Sequence, residues 1–260
     1  HICSDGQDSK LEARGVLIEG QAPENDNVYR VKLDLKACPS FALFPGQTVL
    51  LRGVNPTGSS LVVKKLLSDA MLPVATTEEA QVYDQATVKV TVAAGPFCSS
   101  ENLDYRPLSD LMDVVLSNGT DVLVLIGPFL DAKHPDIERG DIGRTYEKLF
   151  EDVLQHHVLR RVDAHNNTAA RGKLVQRIVL IPSLQDMHHH AVFPQFPFVS
   201  ESFAPFRELL LCASNPCQLR INGVTFGFTS VDPLKHMGGA VLLQRAAGAD
   251  AAGGNRLLEM

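Results

Sequence analysis

Apolar and polar side chains alternate from Val28 to Leu35, through Tyr29, Arg30, Val31, Lys32, Leu33 and Asp34. A period of two is what a half-buried strand needs. Val16-Leu17-Ile18-Glu19-Gly20 is a second short strand, and Pro23-Glu24-Asn25-Asp26-Asn27 between them is a cluster of turn formers. Next, Leu43-Phe44-Pro45-Gly46-Gln47 turns the chain into the apolar stretch Thr48 to Leu51, which Gly53 closes. The turn Asn55-Pro56-Thr57-Gly58 leads into Leu61-Val62-Val63-Lys64-Lys65-Leu66. Short strands with turns at this spacing predict a small β-barrel over residues 1–70, of OB type, although an SH3-like barrel has the same pattern. Residues 71–86 are polar, contain a proline and show no period, so they are expected to link two domains.

From Thr87 the pattern changes. Val88 to Ala93 is a strand, and Asp121 to Ile126 and Ile178 to Pro182 are nearly continuous apolar runs, as strands buried on both faces are. Val224 to Ser230 is expected to be a fourth strand. Between them lie helical spacings: Leu108, Leu111, Met112 and Val115 on one face of 107–116, and Leu149, Val153, Leu154, His157 and Val158 on one face of 145–162. Asn118-Gly119 can end the first helix. Strands alternating with helices predict an α/β layered domain with a mainly parallel sheet over residues 87–260, α+β for the chain as a whole. The Gly/Ala-rich segment 237–255 is expected to be mobile.

Composition narrows the function classes. The chain has 260 residues and a formal net charge of −6, so a protein whose main task is to grip nucleic-acid backbone is disfavoured. Lys64-Lys65 and Arg160-Arg161 are the short basic exceptions. No apolar run approaches the roughly 18 residues a membrane span needs. The opening residues His1-Ile2-Cys3-Ser4-Asp5-Gly6 carry no signal-peptide pattern and no initiator, and the chain reads as a piece of a longer protein. Five cysteines, Cys3, Cys38, Cys98, Cys212 and Cys217, form no CxxC pair, which points to reduced thiols rather than disulfides or a zinc knot.

In an open α/β sheet the chemistry lies beyond the carboxyl ends of the strands. Here those ends read Ala94-Gly95-Pro96-Phe97, Gly127-Pro128-Phe129-Leu130-Asp131-Ala132-Lys133-His134, and Pro182-Ser183-Leu184-Gln185-Asp186-Met187-His188-His189-His190. A two-metal phosphoesterase places Asp-x-His, Gly-Asp-x-x-Asp and Gly-Asn-His at such positions, because two hard cations need carboxylate and imidazole donors. Laid over these ends, the first signature keeps no ligand, the bridging carboxylate becomes Pro128, and only Asp131 and Asp186 survive. No catalytic, metal or cofactor-binding residue is therefore expected, and no cofactor.

Each surviving group has a plainer role. Adjacent side chains in an extended loop point to alternating sides, so His188-His189-His190 is expected to bond locally or face solvent rather than hold one ion. Asp186 and Asp131 are expected to bond backbone amides in their turns, and His157 to edge the core. Cys98 is expected to be structural. No GxSxG, GxxxxGK[ST] or GxGxxG pattern is present. Tyr29, Arg30 and Phe41 are the few barrel residues that could meet a single strand, and Phe41 and Phe44 fit the core better.

The blocks Gly95-Pro96-Phe97, Gly127-Pro128-Phe129-Leu130-Asp131-Ala132-Lys133-His134 and Pro182-Ser183-Leu184-Gln185-Asp186-Met187-His188-His189 resemble the B-subunit family of eukaryotic DNA polymerase alpha. Val192-Phe193-Pro194-Gln195, Pro197-Phe198 and Asn222 to Ser230 are similar as well, as is the barrel stretch Leu43 to Gly58. The resemblance runs to about Met237. It implies an OB domain with an inactive calcineurin-like phosphoesterase domain, here without its last strands. It also implies a nuclear, non-catalytic accessory subunit of the polymerase alpha–primase complex at the start of DNA replication. Its partners would be the zinc-containing C-terminal domain of the catalytic subunit and the primase subunits, with DNA reached through the complex and no membrane. The alternatives are a manganese-dependent phosphodiesterase or nuclease using Asp131, Asp186 and the histidine run, and the small subunit of polymerase delta or epsilon.

Overall fold

A computed structural model describes residues 1–6, 11–21, 27–67, 87–169 and 173–244. Among them, residues up to 67 group with 232–244 in one compact unit, and residues 87–231 form a second. Most of the turn expected at 23–27, the linker expected at 71–86 and the tail beyond residue 244 lie outside the described residues.

The first unit begins with β1 (Ile2–Ser4), β2 (Val16–Gln21), β3 (Val28–Asp34), β4 (Phe41–Leu43), β5 (Leu51–Val54) and β6 (Ser60–Leu66). Five of these form one sheet in the order β1-β2-β3-β6-β5. Its pairs are antiparallel except β3 with β6, which run parallel. The sheet curls back on itself: Ile2 N–H donates to the Gln47 carbonyl at 2.9 Å, and Gly46 N–H to the Ile2 carbonyl at 2.7 Å. Those bonds hold residues 46–47 against β1, so the strand expected from Thr48 starts only at Leu51. The barrel closes over Ile2, Val16, Leu33, Phe41, Leu43 and Val63. Gly58 sits at φ 80°, where its N–H reaches Asn55 Oδ1 at 2.7 Å, so the turn needs a residue free of Cβ strain.

The second unit is layered. Its central sheet contains β7 (Val90–Ala94), β8 (Val122–Ile126), β9 (Arg177–Ile181) and β10 (Leu210–Cys212), all parallel, in the order β10-β9-β8-β7. α1 (Arg106–Ser117) connects β7 to β8. α2 (Pro135–Arg139), α3 (Tyr146–Leu154), a π-helical turn (Gln155–Leu159) and α4 (Arg160–Thr168) connect β8 to β9. A hairpin of β11 (Cys217–Ile221) and β12 (Val224–Phe228) follows.

Strand periodicity assigns the faces. Leu123, Leu125, Ile178 and Leu180 point into the core shared with the helices. Val122, Val124, Ile126, Val179 and Ile181 point into the core shared with the hairpin. Both faces being covered is why β8 reads as five apolar residues in a row. Each fully buried side chain of this kind contributes roughly 1.5–3 kcal/mol. α1 follows its sequence: Leu108, Met112 and Val115 are buried, Asn118 caps it, and Gly119 at φ 66° turns the chain out.

Two expectations are corrected. Val224–Phe228 is not a fourth strand of the parallel sheet, because it pairs antiparallel with β11, Phe228 opposite Cys217. The fourth strand is Leu210–Cys212, only three residues long, too short to stand out in a hydrophobicity pattern. The segment after Asp232, expected to extend the layered domain, instead forms α5 (Pro233–Ala240) and β13 (Leu242–Gln244). β13 pairs antiparallel with β4, with Leu242 opposite Leu43, and Leu242 packs against the barrel core. The unpaired edge of β4 and the apolar Leu242-Leu243 explain why residues 242–244 form a strand there. No helix among the described residues is long and apolar enough to cross a membrane.

Candidate functional site

The loops leaving β7, β8 and β9 converge, and Asp186 is at their centre. It is 2% exposed. Its Oδ1 accepts the amides of Phe129 at 2.5 Å and Leu130 at 3.1 Å, and its Oδ2 accepts that of Ser183 at 2.8 Å. The two loops also pair directly: Ala132 N–H reaches the Gln185 carbonyl at 2.8 Å and Met187 N–H the Leu130 carbonyl at 2.9 Å. Burial pushes the Asp186 carboxyl up to about 6, against the pull of the three amide donors. The group is a fastener for two loops, both of its oxygens engaged by backbone amides.

The remaining candidates are similarly occupied. Asp131 Oδ1 accepts Lys133 N–H at 3.0 Å within its own turn. His134 Nδ1 accepts Asp136 N–H at 3.2 Å, which caps α2, and its Nε2 lies 2.9 Å from the Ser99 carbonyl, which ties α2 to the loop leaving β7. Cys98 is buried, and burial followed by the Asp131 charge pushes its thiol up, away from the reactive thiolate. His157 Nδ1 lies 2.8 Å from Ser109 Oγ at the edge of the core.

The three adjacent histidines go three ways. His189 Nε2 lies 2.9 Å from the Phe196 carbonyl, a local bond, and His190 is exposed. His188 departs from the expectation of a local bond or a solvent-facing ring. It stacks on Phe150 at 3.9 Å and on Phe198 at 5.2 Å, and neither of its buried ring nitrogens meets a partner among the described residues. Burial pushes it down to about 3, so the ring is neutral and acts as an aromatic plate. Among the described residues, no three His, Cys, Asp or Glu side chains come together in a way that could hold an ion.

Space is as limiting as donors. Gly95 and Gly127 precede Pro96 and Pro128, and both Gly–Pro peptides are cis. A Cβ built on Gly95 would lie 2.1 Å from the Pro128 carbonyl oxygen, and one on Gly127 would lie 2.3 Å from Asp186 Oδ2. The strand ends leave no room at these positions: Gly95 packs on the Pro128 backbone and Gly127 on the Asp186 carboxylate.

A buried amide pair completes the arrangement, and sequence reasoning missed it. Asn215 is fully buried. It donates to Gln195 Oε1 at 2.9 Å and Ser230 Oγ at 2.7 Å, and accepts from Thr229 Oγ1 and Ser230 N–H. Gln195 in turn donates to the Ser183 carbonyl at 3.0 Å and the His190 carbonyl at 2.9 Å. An isolated Asn or Gln carries no signal in sequence, because the same residues are ordinary on surfaces. Asn215→Ala is expected to lower unfolding free energy by about 2 kcal/mol, since it strands several buried polar groups. A urea midpoint within error of the parent would show that the network carries no weight.

Comparison with known proteins agrees with this arrangement of a barrel and a layered unit. The B-subunit family of DNA polymerases alpha and epsilon matches residues 90–253. The chain belongs to that family. The OB domain of the DNA polymerase alpha B-subunit matches residues 1–69, which selects the OB-type barrel over the SH3-like alternative. Among curated relatives, the DNA polymerase alpha B-subunit of Mus musculus is 35% identical over 242 residues, covering 93% of this chain and 38% of the relative. That of Schizosaccharomyces pombe is 28% identical over 234 residues, covering 87% and 39%. That of Saccharomyces cerevisiae is 28% identical over 225 residues, covering 80% and 30%. The chain thus spans well under half the length of these relatives. The family match covers all three strand-end blocks on which the resemblance rested.

Proposed function

We propose that this chain is the OB and phosphoesterase-like portion of a non-catalytic accessory subunit of DNA polymerase alpha, working in the nucleus at the start of DNA replication. The layered unit is read as a calcineurin-like domain whose hydrolytic chemistry has been lost. The observation that carries this reading is Asp186: one of the two surviving carboxylates, it is buried and both of its oxygens are already engaged by backbone amides, those of Phe129, Leu130 and Ser183. Two-metal hydrolysis needs a complete and fixed ligand shell, whereas Pro128 and Gly95 fill that space with backbone.

In this reading the loops keep a shape, and the shape is for binding protein. Phe193, Phe196, Val192 and Val199 are exposed next to the packed strand ends, more apolar surface than one loop normally leaves to water. The partner proposed is the zinc-containing C-terminal domain of the polymerase alpha catalytic subunit, with primase held in the same complex and DNA met through it. Co-expression with that domain is expected to give a stable one-to-one complex by size-exclusion chromatography. Failure of two folded proteins to associate would overturn the scaffold role. Manganese-dependent turnover of a generic phosphodiester, lost in Asp131→Ala, would overturn the inactive reading separately.

A further inference from the structure

The middle of the barrel is charged against the rest of the chain. Residues 27–67 carry six Lys or Arg and a single Asp, whereas the whole chain has a formal charge of −6. Arg30, Lys32, Arg52, Lys64 and Lys65 are exposed and lie on β3, β6 and β5, which are neighbours in one sheet.

Register puts these cations on one face. Leu33 is buried in the barrel core, so Lys32 and Arg30 project outward from β3. On β5, Leu51 packs against the core and Arg52 points away from it. On β6, strict alternation after the buried Val63 would send only Lys64 outward. A β-bulge intervenes: Gly53 faces Val63 and Arg52 faces Lys65, so Lys64 is the extra residue. Both lysines are then exposed, and Leu66 returns to the core. Re-aiming a side chain is a common use of a bulge.

Most of the group lacks a counter-charge. Arg30 Nε contacts Glu19 Oε2 on β2 at 2.7 Å. Lys32, Arg52, Lys64 and Lys65 make no ion pair among the described residues. Asp34 is the one acid on these three strands, and its Oδ1 accepts Lys36 N–H at 3.1 Å. The strip is about 10 Å wide across three strands and runs roughly 15 Å from Lys32 to Lys65.

We propose that this strip binds the sugar–phosphate backbone of single-stranded nucleic acid directly, without regard to sequence. Three of its four unpaired cations are lysines, point charges that suit phosphates without demanding a fixed geometry. An acidic peptide fits less well. Between the cations the face offers Ser60, Val62 and Val54, side chains too short to wall a pocket for an anchor residue. A duplex is wider than the strip and would lay its second backbone over Glu19 on β2. Such contact is independent of the scaffold role, in which DNA is reached only through the complex.

The test uses the full chain and a short fluorescein-labelled oligothymidylate, read by fluorescence anisotropy between about 50 and 200 mM salt. A dissociation constant on the order of 10 µM is expected at the lower salt, with a log–log salt slope of about −3, as for four phosphate contacts on a single strand. Replacing both lysines, Lys64→Gln with Lys65→Gln, is expected to weaken binding about tenfold and to bring the slope to about −1.5. Asp34→Asn keeps the acceptor for Lys36 N–H and is expected to strengthen binding about twofold by removing a like charge from the path of the phosphates. That gain is a result that damage to the fold would not give. Arg160→Gln, an exposed cation of the layered unit, should bind as the parent does. No binding at low salt, an unchanged slope in the lysine double variant, or an equal loss in Arg160→Gln would overturn the site. Displacement by polyglutamate as effective as by unlabelled oligothymidylate would overturn the nucleic-acid assignment in favour of an acidic protein. Duplex bound as tightly as the single strand would overturn the single-strand assignment.

Discussion

Asp186→Ala is expected to lower the free energy of unfolding by about 4 kcal/mol, because it leaves three buried amides without an acceptor. The donors are Phe129, Leu130 and Ser183, and the two loops they belong to have no other carboxylate between them that reaches these amides. Asp186→Asn keeps one acceptor oxygen and should recover about half of that loss. Urea denaturation of the parent and both variants measures it. A loss below about 1 kcal/mol in the alanine variant would mean that water reaches the amides and that the carboxylate is not the fastener. The pH dependence adds an independent check. The folded-state carboxyl is raised from 3.8 to about 6, mainly by burial, so between these values the native state binds more protons than the unfolded state. Stability from this group is therefore greatest at low pH and declines as pH rises through that window, then levels. The asparagine variant lacks the titration. Its gap to the parent should narrow from pH 4 to pH 6 and stay constant above.

The same residue shows what a sequence can and cannot disclose here. Strands buried on both faces announce themselves, as Val122–Ile126 does, because five apolar residues in succession fit no surface element. The α1 face is equally plain in Leu108, Met112 and Val115. That position 128 carries no side-chain donor is also visible, since a proline ring has no lone pair to offer. Short elements held by long-range pairing are not visible. Leu210–Cys212 and Leu242–Gln244 owe their conformation to β9 and β4, partners distant in the chain. Burial of polar groups is hidden for the same reason. Asn215, Gln195 and His188 look like loop residues, and only the packing of Phe150 and Phe198 around one ring, or of Ser230 against one amide, reveals them. Nothing in the sequence hints at the neutral stacked ring of His188, because burial by Phe150 and Phe198 comes from outside the histidine run.

Gly95→Ala is expected to be as damaging as loss of Asp186, about 4 kcal/mol, for a steric rather than a polar reason. The new Cβ would lie 2.1 Å from the Pro128 oxygen and 3.0 Å from that residue's carbonyl carbon and nitrogen. Overpacking usually costs roughly 1–3 kcal/mol because a side chain can swing away. Here the obstacle is backbone on a strand end already fixed by register: Ala94 pairs with Ile126, and Gly95 N–H donates to the Ile126 carbonyl at 2.8 Å. Relief requires prising β7 from β8. Gly143→Ala is the control. Its φ of 63° makes alanine strained, yet nothing lies within 4 Å of the added carbon, so it should lose only about 1 kcal/mol. A comparable small loss at Gly95, by urea midpoint and by thermal melting, would mean that the ends of β7 and β8 part easily. The gap between them would then be roomy enough for cations, and the proposal of a cleft closed by its own backbone would lose its physical basis.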